Sequence, residues 1–555
     1  MNKKNKRREI LLAVGLIGLL GYPVVTLNRR LLADTGLADR TVAAAQSSSS
    51  LTQATENQVS ITFFSKKVGD VDDAERIQRA VDYCSENGKD LFFTSGTEYT
   101  LRSVEVEAGL HLIGYGATFR LAERQPKFTR MFTTQQHMWE SDDDSDYLIF
   151  EGMTFDGNCW EQGAFLNYEK EQQFAILFSG STEKEGMLRG KVIACRFQNW
   201  CGDGVHVYTN AAVTVSDSTS YNCFRGGVVA SGSPSTIKIT DFVAEKSQFG
   251  KAMDIEIDTE PHNKTTLTIE RLTAHESVDL GTQEGSVVNV TDSTIIGGKT
   301  VIYGFKNKIT IEGSTLGNVE VMNATDCTFN DVTFAVTPSM TEDVNGVVVR
   351  VIDSFNDLPK DDYQTTFNDC TFERADVQDL LETNKEVVAL NGYFGKLTLN
   401  DCVFRSGFTT GYLNFGVAES YLNDVYFDAE TAVSMQPLAW ARIDKFVLDN
   451  VTYGTNTLTP FLFVNYMITK PYATVSFKNM VLDSSQAGYA GADQIGTTKI
   501  VSDRLIYVTA DPTVADVPAF KGDTARLYTV IAGAPSEWIA VTSDPVAADW
   551  KVVVE

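Results

Sequence analysis

Hydrophobic and polar positions alternate regularly in one central stretch of the chain. Three segments, at 202–208, 225–231 and 251–258, place small or apolar residues at every second position, as half-buried strands do. The step from Val205 to the equivalent Val228 is 23 residues, and the next step is 25 residues. Such a recurrence is typical of stacked repeats and predicts a solenoid rather than a globular sheet.

Stacking of these three strands would produce one inward and one outward column of side chains. The inward column would hold Val205, Val228 and Met253, then Val207, Ala230 and Ile255. The outward column would hold His206, Val229 and Asp254, then Tyr208, Ser231 and Glu256. The outward column contains the titratable groups, and we therefore expect it to be the working surface.

A short signature extends the repeat to about residue 500. It consists of an acidic residue or Asn, a small or apolar residue, Thr or Val, and then Phe, Tyr or Leu. Its second position falls near Cys195, Ser218, Phe242, Leu272, Ser293, Ser314, Cys327, Cys370, Cys402, Val425, Val451 and Met480. Small residues at this position predict a crowded interior, with Cys327 in the same slot as Cys370. The step of 13 residues from Ser314 to Cys327 is too short for a coil.

Both ends of the predicted solenoid carry sequence suited to a cap, which stacked repeats require. Residues 72–86 have apolar positions at helical spacing, and Gly88 follows as a stop signal. The tail from residue 500 to 555 changes character and contains Trp538 and Trp550. We interpret it either as a terminal β module of a surface protein or as a simple cap with core tryptophans.

The N-terminal pattern also carries a family resemblance. An Asp-Asp pair, a helix, an apolar strand and 114–119 (Gly-Tyr-Gly-Ala-Thr-Phe) follow in order, and 151–158 resembles an early coil turn. This order resembles the cap of the pectate-lyase-like right-handed parallel β-helix superfamily, which includes tailspikes and polysaccharide lyases. The resemblance implies an all-β fold: a single-stranded right-handed parallel β-helix at 121–500, a helical N-terminal cap at 59–120 and a small C-terminal β module at 501–555.

No subfamily is identified by these motifs. Polygalacturonase-type hydrolases carry Asp-Asp where this chain has Arg225-Gly226-Gly227, and no Gly-His-Gly follows. Glu260-Pro261-His262 resembles the Asp-Pro-His of β-helix mannuronan epimerases, with Glu in place of Asp.

The first 45 residues are predicted to be an export signal. A basic start precedes an apolar run at 10–25, and Arg7-Arg8 resembles a twin-arginine signal. A plain secretory signal and an uncleaved membrane anchor formed by 10–25 are the alternatives. Residues 46–58 are predicted to be a flexible linker. We therefore expect a secreted, periplasmic or cell-surface protein.

Charge and cysteine content narrow the choice of partners. The net charge of −26 argues against nucleic acid as a partner. An acidic polysaccharide would need local Lys or Arg, or a bridging Ca²⁺, which is the cofactor we consider. Four of the eight cysteines, Cys195, Cys327, Cys370 and Cys402, recur at one repeat position, so free buried thiols are expected rather than disulfides.

The outward column supplies the candidate site. The predicted catalytic residues are His206, Tyr208, Asp254, Glu256 and Asp258. The predicted Ca²⁺ ligands are Asp254, Glu256 and Asp279. The predicted substrate-binding residues are Arg225, Lys251, Trp160 and Trp200. Arg225 and Lys251 would pair either with a sugar acid or with neighbouring carboxylates, and each tryptophan would either stack on a sugar or pack in the core.

Three chemistries fit this set of groups. Two carboxylates suit glycoside hydrolysis. A cation with His206 or Tyr208 as a base suits a lyase or epimerase acting on a uronate. The carboxylates could instead hold a structural cation. We predict an exported enzyme that processes extracellular or cell-envelope polysaccharide; the alternative is a non-catalytic glycan-binding adhesin. The resemblance to tailspikes also implies a homotrimer.

Overall fold

The structure is a computed structural model. It describes residues 57–134, 146–163, 169–180, 187–232, 234–245, 251–256, 264–281, 285–304, 306–322, 324–336, 347–352, 363–374, 387–436, 444–464, 474–490, 499–509, 512, 517, 519–527, 537–543 and 548–554. The predicted export signal at 1–45 and most of the predicted linker lie outside this part of the chain.

One helix covers the N-terminal end of the described chain. Helix α1 spans Ala74–Asn87, and the side chain of Asp72 accepts a hydrogen bond from the Ala74 N–H at 2.7 Å. Gly88 ends the helix with a φ of 57°, a left-handed conformation that glycine adopts at little cost. The buried face of α1 is formed by Ala74, Ile77, Ala80, Val81 and Cys84. The helix predicted at 72–86 is thus confirmed.

Short strands and two 3-10 turns, Ile61–Phe63 and Cys159–Glu161, precede the regular repeat. The strands are β1 (Gln58–Ser60), β2 (Asp90–Phe92), β3 (Glu98–Leu101), β4 (Val104–Val106), β5 (His111–Ile113), β6 (Thr118–Leu121), β7 (Arg130–Thr134), β8 (Leu148–Glu151) and β9 (Thr154–Asp156).

The central part of the chain consists of regularly repeated strands. They are β10 (Phe174–Phe178), β11 (Leu188–Ile193), β12 (Arg196–Trp200), β13 (Asp203–Val207), β14 (Ala211–Ser216), β15 (Thr219–Cys223), β16 (Gly226–Ala230), β17 (Ser235–Thr240), β18 (Val243–Ala244), β19 (Lys251–Glu256), β20 (Thr265–Glu270), β21 (Thr273–Ala274), β22 (Ser277–Gly281), β23 (Val287–Thr291), β24 (Thr294–Tyr303), β25 (Lys308–Glu312), β26 (Thr315–Met322), β27 (Asp326–Asn330), β28 (Thr333–Val336), β29 (Val347–Ile352), β30 (Gln364–Asn368), β31 (Thr371–Arg374), β32 (Val388–Gly392), β33 (Lys396–Asn400), β34 (Val403–Phe404), β35 (Thr410–Asn414), β36 (Glu419–Asn423), β37 (Tyr426–Phe427), β38 (Thr431–Met435), β39 (Lys445–Asp449), β40 (Thr452–Tyr453), β41 (Thr459–Phe463) and β42 (Thr474–Lys478).

The last strands are β43 (Val481–Asp483), β44 (Tyr489–Ala490), β45 (Lys499–Ser502), β46 (Leu505–Val508), β47 (Thr524–Leu527), β48 (Glu537–Ala540) and β49 (Trp550–Val554). Strands β43 and β46–β49 form a separate five-stranded sheet, with parallel and antiparallel pairs. Trp538 is fully buried in this sheet and Trp550 nearly so, within a second hydrophobic cluster. The expected small C-terminal β module is therefore present.

Strand pairing defines the architecture of the repeat. A typical coil contributes one strand to a 17-stranded sheet and two to a 27-stranded sheet, as β14, β15 and β16 do. Each of these strands pairs in parallel with the strand three places further along, so that β14 pairs with β17 and β16 with β19. The chain is a right-handed parallel β-helix, and the fold class predicted from the sequence is confirmed.

Left-handed residues turn the chain at one corner of each coil, and most of them are aspartates. Their φ values lie near 50°, a conformation that Asp and Asn tolerate better than other side chains. The aspartates concerned are Asp217, Asp241, Asp292, Asp331, Asp369, Asp401 and Asp424. The next residue is buried, as Ser218 and Cys402 illustrate. The acidic residue in the sequence signature is therefore the corner residue, and the small residue after it enters the core.

One position of the predicted signature is wrong. Cys327 lies inside β27 and pairs with Ile309 and Thr365, so it does not follow a corner. The corner of this coil is Asp331, and the buried residue after it is Val332. The segment 326–329 imitates the signature because a strand of the first sheet also alternates. The short step of 13 residues from Ser314 to Cys327 therefore does not separate two equivalent positions, because the position equivalent to Ser314 is Val332.

All eight cysteines are free and buried, as expected. Burial raises the pKa of the Cys195 thiol to about 12 and that of Cys201 to about 11, so both thiols stay protonated at neutral pH. Among the described residues, no helix has the length and apolar character needed to cross a membrane.

Candidate functional site

Four neighbouring strands, β13, β16, β19 and β22, form the outward face that carries the candidate site. Their register places His206 opposite Val229, Val229 opposite Asp254, and Asp254 opposite Asp279. These four positions, which we call the site wall, reproduce the predicted outward column. Adjacent coils in such a stack are about 4.8 Å apart, so side chains two coils apart can share a substrate.

Two glycines allow the coils to approach closely at the site wall. A Cβ atom at Gly204 would lie 2.5 Å from the carbonyl oxygen of Gly227. A Cβ atom at Gly232 would lie 1.5 Å from the carbonyl oxygen of Tyr208. Neither place has room for a side chain. Gly232 thus fixes the backbone directly after Ser231 against the preceding coil.

His206 is the centre of a hydrogen-bonded chain. The side chain is buried, its Nδ1 lies 2.6 Å from Oδ2 of Asp203, and its Nε2 lies 2.8 Å from Oγ of Ser231. The imidazole stacks on the ring of Phe174, with 4.3 Å between centroids. Asp203 is completely buried and Ser231 is half-buried, so this series of hydrogen bonds runs from the interior to the surface.

The carboxylate determines which nitrogen of His206 carries the proton. An ionised carboxylate only accepts hydrogen bonds, so Asp203 places the proton on Nδ1. Nε2 is then the basic nitrogen and accepts a hydrogen bond from the hydroxyl of Ser231. Because both ring nitrogens are engaged, His206 reaches a substrate only by way of Ser231.

Charged side chains extend the hydrogen-bonded network of His206 along the site wall. The Nε of Arg225 lies 3.7 Å from Oδ1 of Asp203 and 3.9 Å from Oδ2 of Asp254. The Nζ of Lys251 lies 3.5 Å from Oδ1 of Asp254 and 2.7 Å from Oδ2 of Asp279. Cations and carboxylates therefore alternate along the wall. Arg225 and Lys251 thus pair with neighbouring carboxylates, and their pairing with a sugar acid stays a prediction.

This network is costly to bury. Asp254 is only 3% exposed and Asp203 is completely buried, and removing carboxylates from water is expensive even when a cation is nearby. The Oδ1 atom of Asp203 has no hydrogen-bond partner among the described residues and faces Arg225 at ion-pair distance. The core of a solenoid does not need such groups, and buried ionisable clusters are typical of functional sites.

The predicted aromatic residues differ in exposure. Tyr208 is 46% exposed, and its ring centroid lies 6.4 Å from that of His206. Trp160 is 59% exposed and lies in the 3-10 turn after β9. Trp200 is completely buried, and its Nε1 donates to the carbonyl oxygen of Phe155 at 3.2 Å, which fits the core-packing interpretation.

Of the three predicted Ca²⁺ ligands, only Asp254 and Asp279 have described side chains, and Ca²⁺ binding stays a prediction. The backbone of Glu256 lies in β19 opposite Gly281, but its side chain lies outside the described residues, as does Asp258. Asp254 and Asp279 instead share the ammonium group of Lys251, which takes the place of a bridging cation. No group of three potential ligands is found among the described residues. The donors that are present do not fit Ca²⁺ while Lys251 lies between them.

Two residues of the site, Asp203 and Ser231, are absent from the predicted catalytic, metal-binding and substrate-binding residues. Ser231 belongs to the outward column, and its place one coil after Tyr208 was the signal that could have identified it. Asp203 has the inward parity of Val205 and gives no such signal. It reaches His206 because it lies at the first residue of β13.

Comparisons with known proteins identify no family for the chain, and no curated protein matches it. Tailspike protein 3 of bacteriophage CBA120 is 12% identical, with a TM-score of 0.36 over 97% of this chain and 70% of that chain. A tailspike mutant of E. coli bacteriophage HK620, in complex with a pentasaccharide, is 12% identical, with a TM-score of 0.42 over 92% and 98%. The A-module of Azotobacter vinelandii mannuronan C-5 epimerase AlgE4 is 13% identical, with a TM-score of 0.33 over 74% and 99%.

Proposed function

We propose that the protein is an exported enzyme that processes an extracellular or cell-envelope polysaccharide along the site wall. The buried network of alternating cations and carboxylates from His206 to Asp279 carries this proposal. The network runs from the buried Asp203 and Asp254 to Lys251, which is 35% exposed and can contact a polymer at the surface, and buried ionisable clusters are typical of functional sites. Export follows from the predicted signal at 1–45.

Glycoside hydrolysis is the chemistry that we propose. It uses a pair of carboxyl groups, and Asp254 and Asp279 lie on adjacent coils in contact with one ammonium group. Lys251 is 35% exposed, so it can exchange one of these contacts for a sugar hydroxyl. Elimination with His206 as the base would first require loss of its bond to Ser231. In an eliminating or epimerising enzyme, Tyr208 would be the base.

The exposed aromatic rings favour glycan binding without cleavage as a second candidate. Trp160 and Tyr208 present ring surface to solvent, and such rings stack on the apolar faces of sugars. In this case the charged network would orient an anionic or hydroxyl-rich polymer without cleaving it. A tailspike-like adhesin of this kind would show affinity for the polymer and no turnover.

A panel of polysaccharides tests the proposal. The purified protein is incubated with each polymer, with and without Ca²⁺, and reducing ends and unsaturated uronate absorbance are measured. We expect reducing ends without new absorbance, and Asp254→Asn should lower the rate by roughly 10²-fold or more. Asp292→Asn, which replaces an exposed corner aspartate, should leave the rate unchanged.

Other outcomes contradict parts of the proposal. Absorbance that depends on Tyr208 would replace hydrolysis by elimination. Binding without any cleavage, unaffected by Asp254→Asn, would leave the adhesin as the function. A requirement for added Ca²⁺ would show that Asp254 and Asp279 exchange Lys251 for a metal ion.

A further inference from the structure

Ser231, His206 and Asp203 form a unit of their own at one end of the charged network. Oγ of Ser231 lies 2.8 Å from Nε2 of His206, and Nδ1 of His206 lies 2.6 Å from Oδ2 of Asp203, so two hydrogen bonds connect the three side chains in this order. This is the order of groups that activates a serine nucleophile: hydroxyl, imidazole base and buried carboxylate.

From this geometry we propose that Ser231 is the nucleophile of a second activity, the hydrolysis of acyl esters carried by the polysaccharide. The inference rests on the proposed function only for the glycan as carrier of the ester. Ester cleavage is chosen because acyl transfer is the reaction that a serine, its base and an orienting carboxylate perform together.

Burial and backbone geometry suit each residue to its part. Ser231 is half-buried, so its hydroxyl can meet a substrate on the outward face. Its backbone N–H is bonded to the carbonyl oxygen of Val207 at 3.2 Å, and Gly232 directly after it packs against the preceding coil. The serine is therefore held on the backbone of a rigid stack, which favours catalysis by limiting reorganisation.

His206 and Asp203 complete the unit. The imidazole is fixed by stacking on Phe174 and by the hydrogen bond from Nδ1 to Asp203, which leaves Nε2 as the base. Asp203 does not touch the substrate and acts as a positioning residue. Its second oxygen faces Arg225, so the charge of the carboxylate is balanced before and after proton transfer to His206.

The reaction balances with water as the only co-reactant. Oγ of Ser231 attacks the acyl carbon while its proton passes to Nε2 of His206. The bond between the acyl carbon and the sugar oxygen breaks, and the sugar oxygen takes that proton. Water then attacks the acyl-serine, His206 accepts and returns a proton, and a free carboxylic acid leaves with Ser231 restored.

Two independent measurements test the inference on the full chain. A fluorophosphonate probe reports an activated serine without any sugar, and mass spectrometry of tryptic peptides locates it. Acetate release is measured on O-acetylated polysaccharides, with the same polymers after alkaline deacetylation as blank. We expect labelling at Ser231 and acetate release, both at least roughly 10³-fold lower in Ser231→Ala.

Matched variants separate chemistry from folding. Ser216→Ala removes a half-buried serine on the other sheet and should keep both labelling and release. Asp203→Asn should lower kcat with little change in KM, a split that a loosened structure would not produce. Thermal melting of each variant shows whether it is folded.

The outcomes distinguish the inference from the proposed function. Labelling and acetate release without any shortening of the polymer would support Ser231 and contradict glycoside hydrolysis. Polymer shortening that is equal in the wild type and Ser231→Ala, without labelling or acetate, would overturn the inference and leave the proposed function standing. Labelling at another serine would also overturn it.

Discussion

Single residues at the corners determine where each coil turns. Asp401 has a φ of 53°, its side chain is exposed, and its backbone N–H donates to the carbonyl oxygen of Asn423 on the next coil. The left-handed conformation costs an ordinary L-residue about 1–2 kcal/mol, and Asn and Asp less. The residue type at this position therefore matters through backbone energy rather than through a side-chain contact.

A pair of substitutions tests this conclusion. Asp401→Val should lower the free energy of unfolding by about 1–2 kcal/mol, because a β-branched side chain resists the left-handed region. Asp401→Asn should change it by less than about 0.5 kcal/mol. Urea denaturation followed by circular dichroism measures both. Equal losses in the two variants would show that the carboxylate charge, and not the backbone, is what matters.

For individual residues of the site, the sequence predicts the positions of His206 and Asp254 but not that of Asp203. His206 and Asp254 can be placed in one column because strand alternation has a period of two and holds over all three segments. Asp203 cannot be placed in this way, since a residue at the end of a strand leaves the alternation. Trp200 is likewise the last residue of a strand, β12, and the sequence pattern leaves open whether its side chain packs in the core or stacks on a sugar.

Among the elements, ladders of identical side chains align the coils. Nδ2 of Asn368, Asn400 and Asn423 each donates at 2.8 Å to Oδ1 of the preceding asparagine, beginning with Asn330. Phenylalanine rings stack along the interior in the same way, as Phe372 and Phe404 do with 4.3 Å between centroids. Such ladders stabilise one pairing register between adjacent coils, because shifting a strand by one residue would move every side chain to the other face of the sheet.

The N-terminal cap contains an ion pair with a defined pH dependence. Arg79 donates to both oxygens of Asp70, and this hydrogen bonding lowers the pKa of Asp70 from 3.8 to about 2. A lowered carboxyl pKa stabilises the folded state above the unfolded pKa, and this stabilisation is lost as the pH falls through about 2. The pair should therefore support the cap at pH 5 to 7 but not in strong acid.

We expect Asp70→Asn to melt at a lower temperature than the wild type at neutral pH, with the difference shrinking as the pH approaches about 2. Differential scanning calorimetry across the acid range measures this. Glu86→Gln, a substitution at an exposed position of α1, serves as the control, and its melting temperature should change with pH in the same way as that of the wild type. A difference that stays constant with pH would contradict the role of the charge.

The sequence predicts the type of each secondary-structure element and the period of the repeat better than it predicts the exact number of residues in each coil. The helix at 72–86 is found at 74–87, because its buried face and its glycine stop are local signals. The coil containing Cys327 is misassigned, because a strand of the first sheet imitates the corner signature.

At the scale of the whole molecule, one buried ion pair joins the last coil to the terminal sheet. Arg504 lies between β45 and β46, is almost fully buried, and donates to Asp523 at 2.6 Å. Asp523 is completely buried and also accepts from the N–H of Phe520 at 2.7 Å. The guanidinium group lies over the Phe520 ring, 4.7 Å from its centroid. The two sheets therefore share a polar connection enclosed by aromatic rings.

Removing one partner should be much more harmful than removing both. Asp523→Asn leaves the buried charge of Arg504 uncompensated and should cost about 3–5 kcal/mol of unfolding free energy. The double variant Arg504→Met with Asp523→Asn should recover a substantial part of this loss. Denaturant unfolding of the single and double variants measures the coupling. Additive losses would mean that the pair is not a unit.

The stacked corners have a further consequence for how this chain can change over generations. Each coil contacts only its two neighbours, and equivalent corners such as Asp369 and Asp401 have nearly the same backbone conformation. A deletion or duplication that begins and ends at equivalent corners would remove or add one whole coil. The strands of the neighbouring coils would still pair in register. Far from the site wall, length can thus vary as a heritable trait while the reactive groups stay in place. Between His206 and Asp279, the same event would break the column, so selection should hold that segment constant.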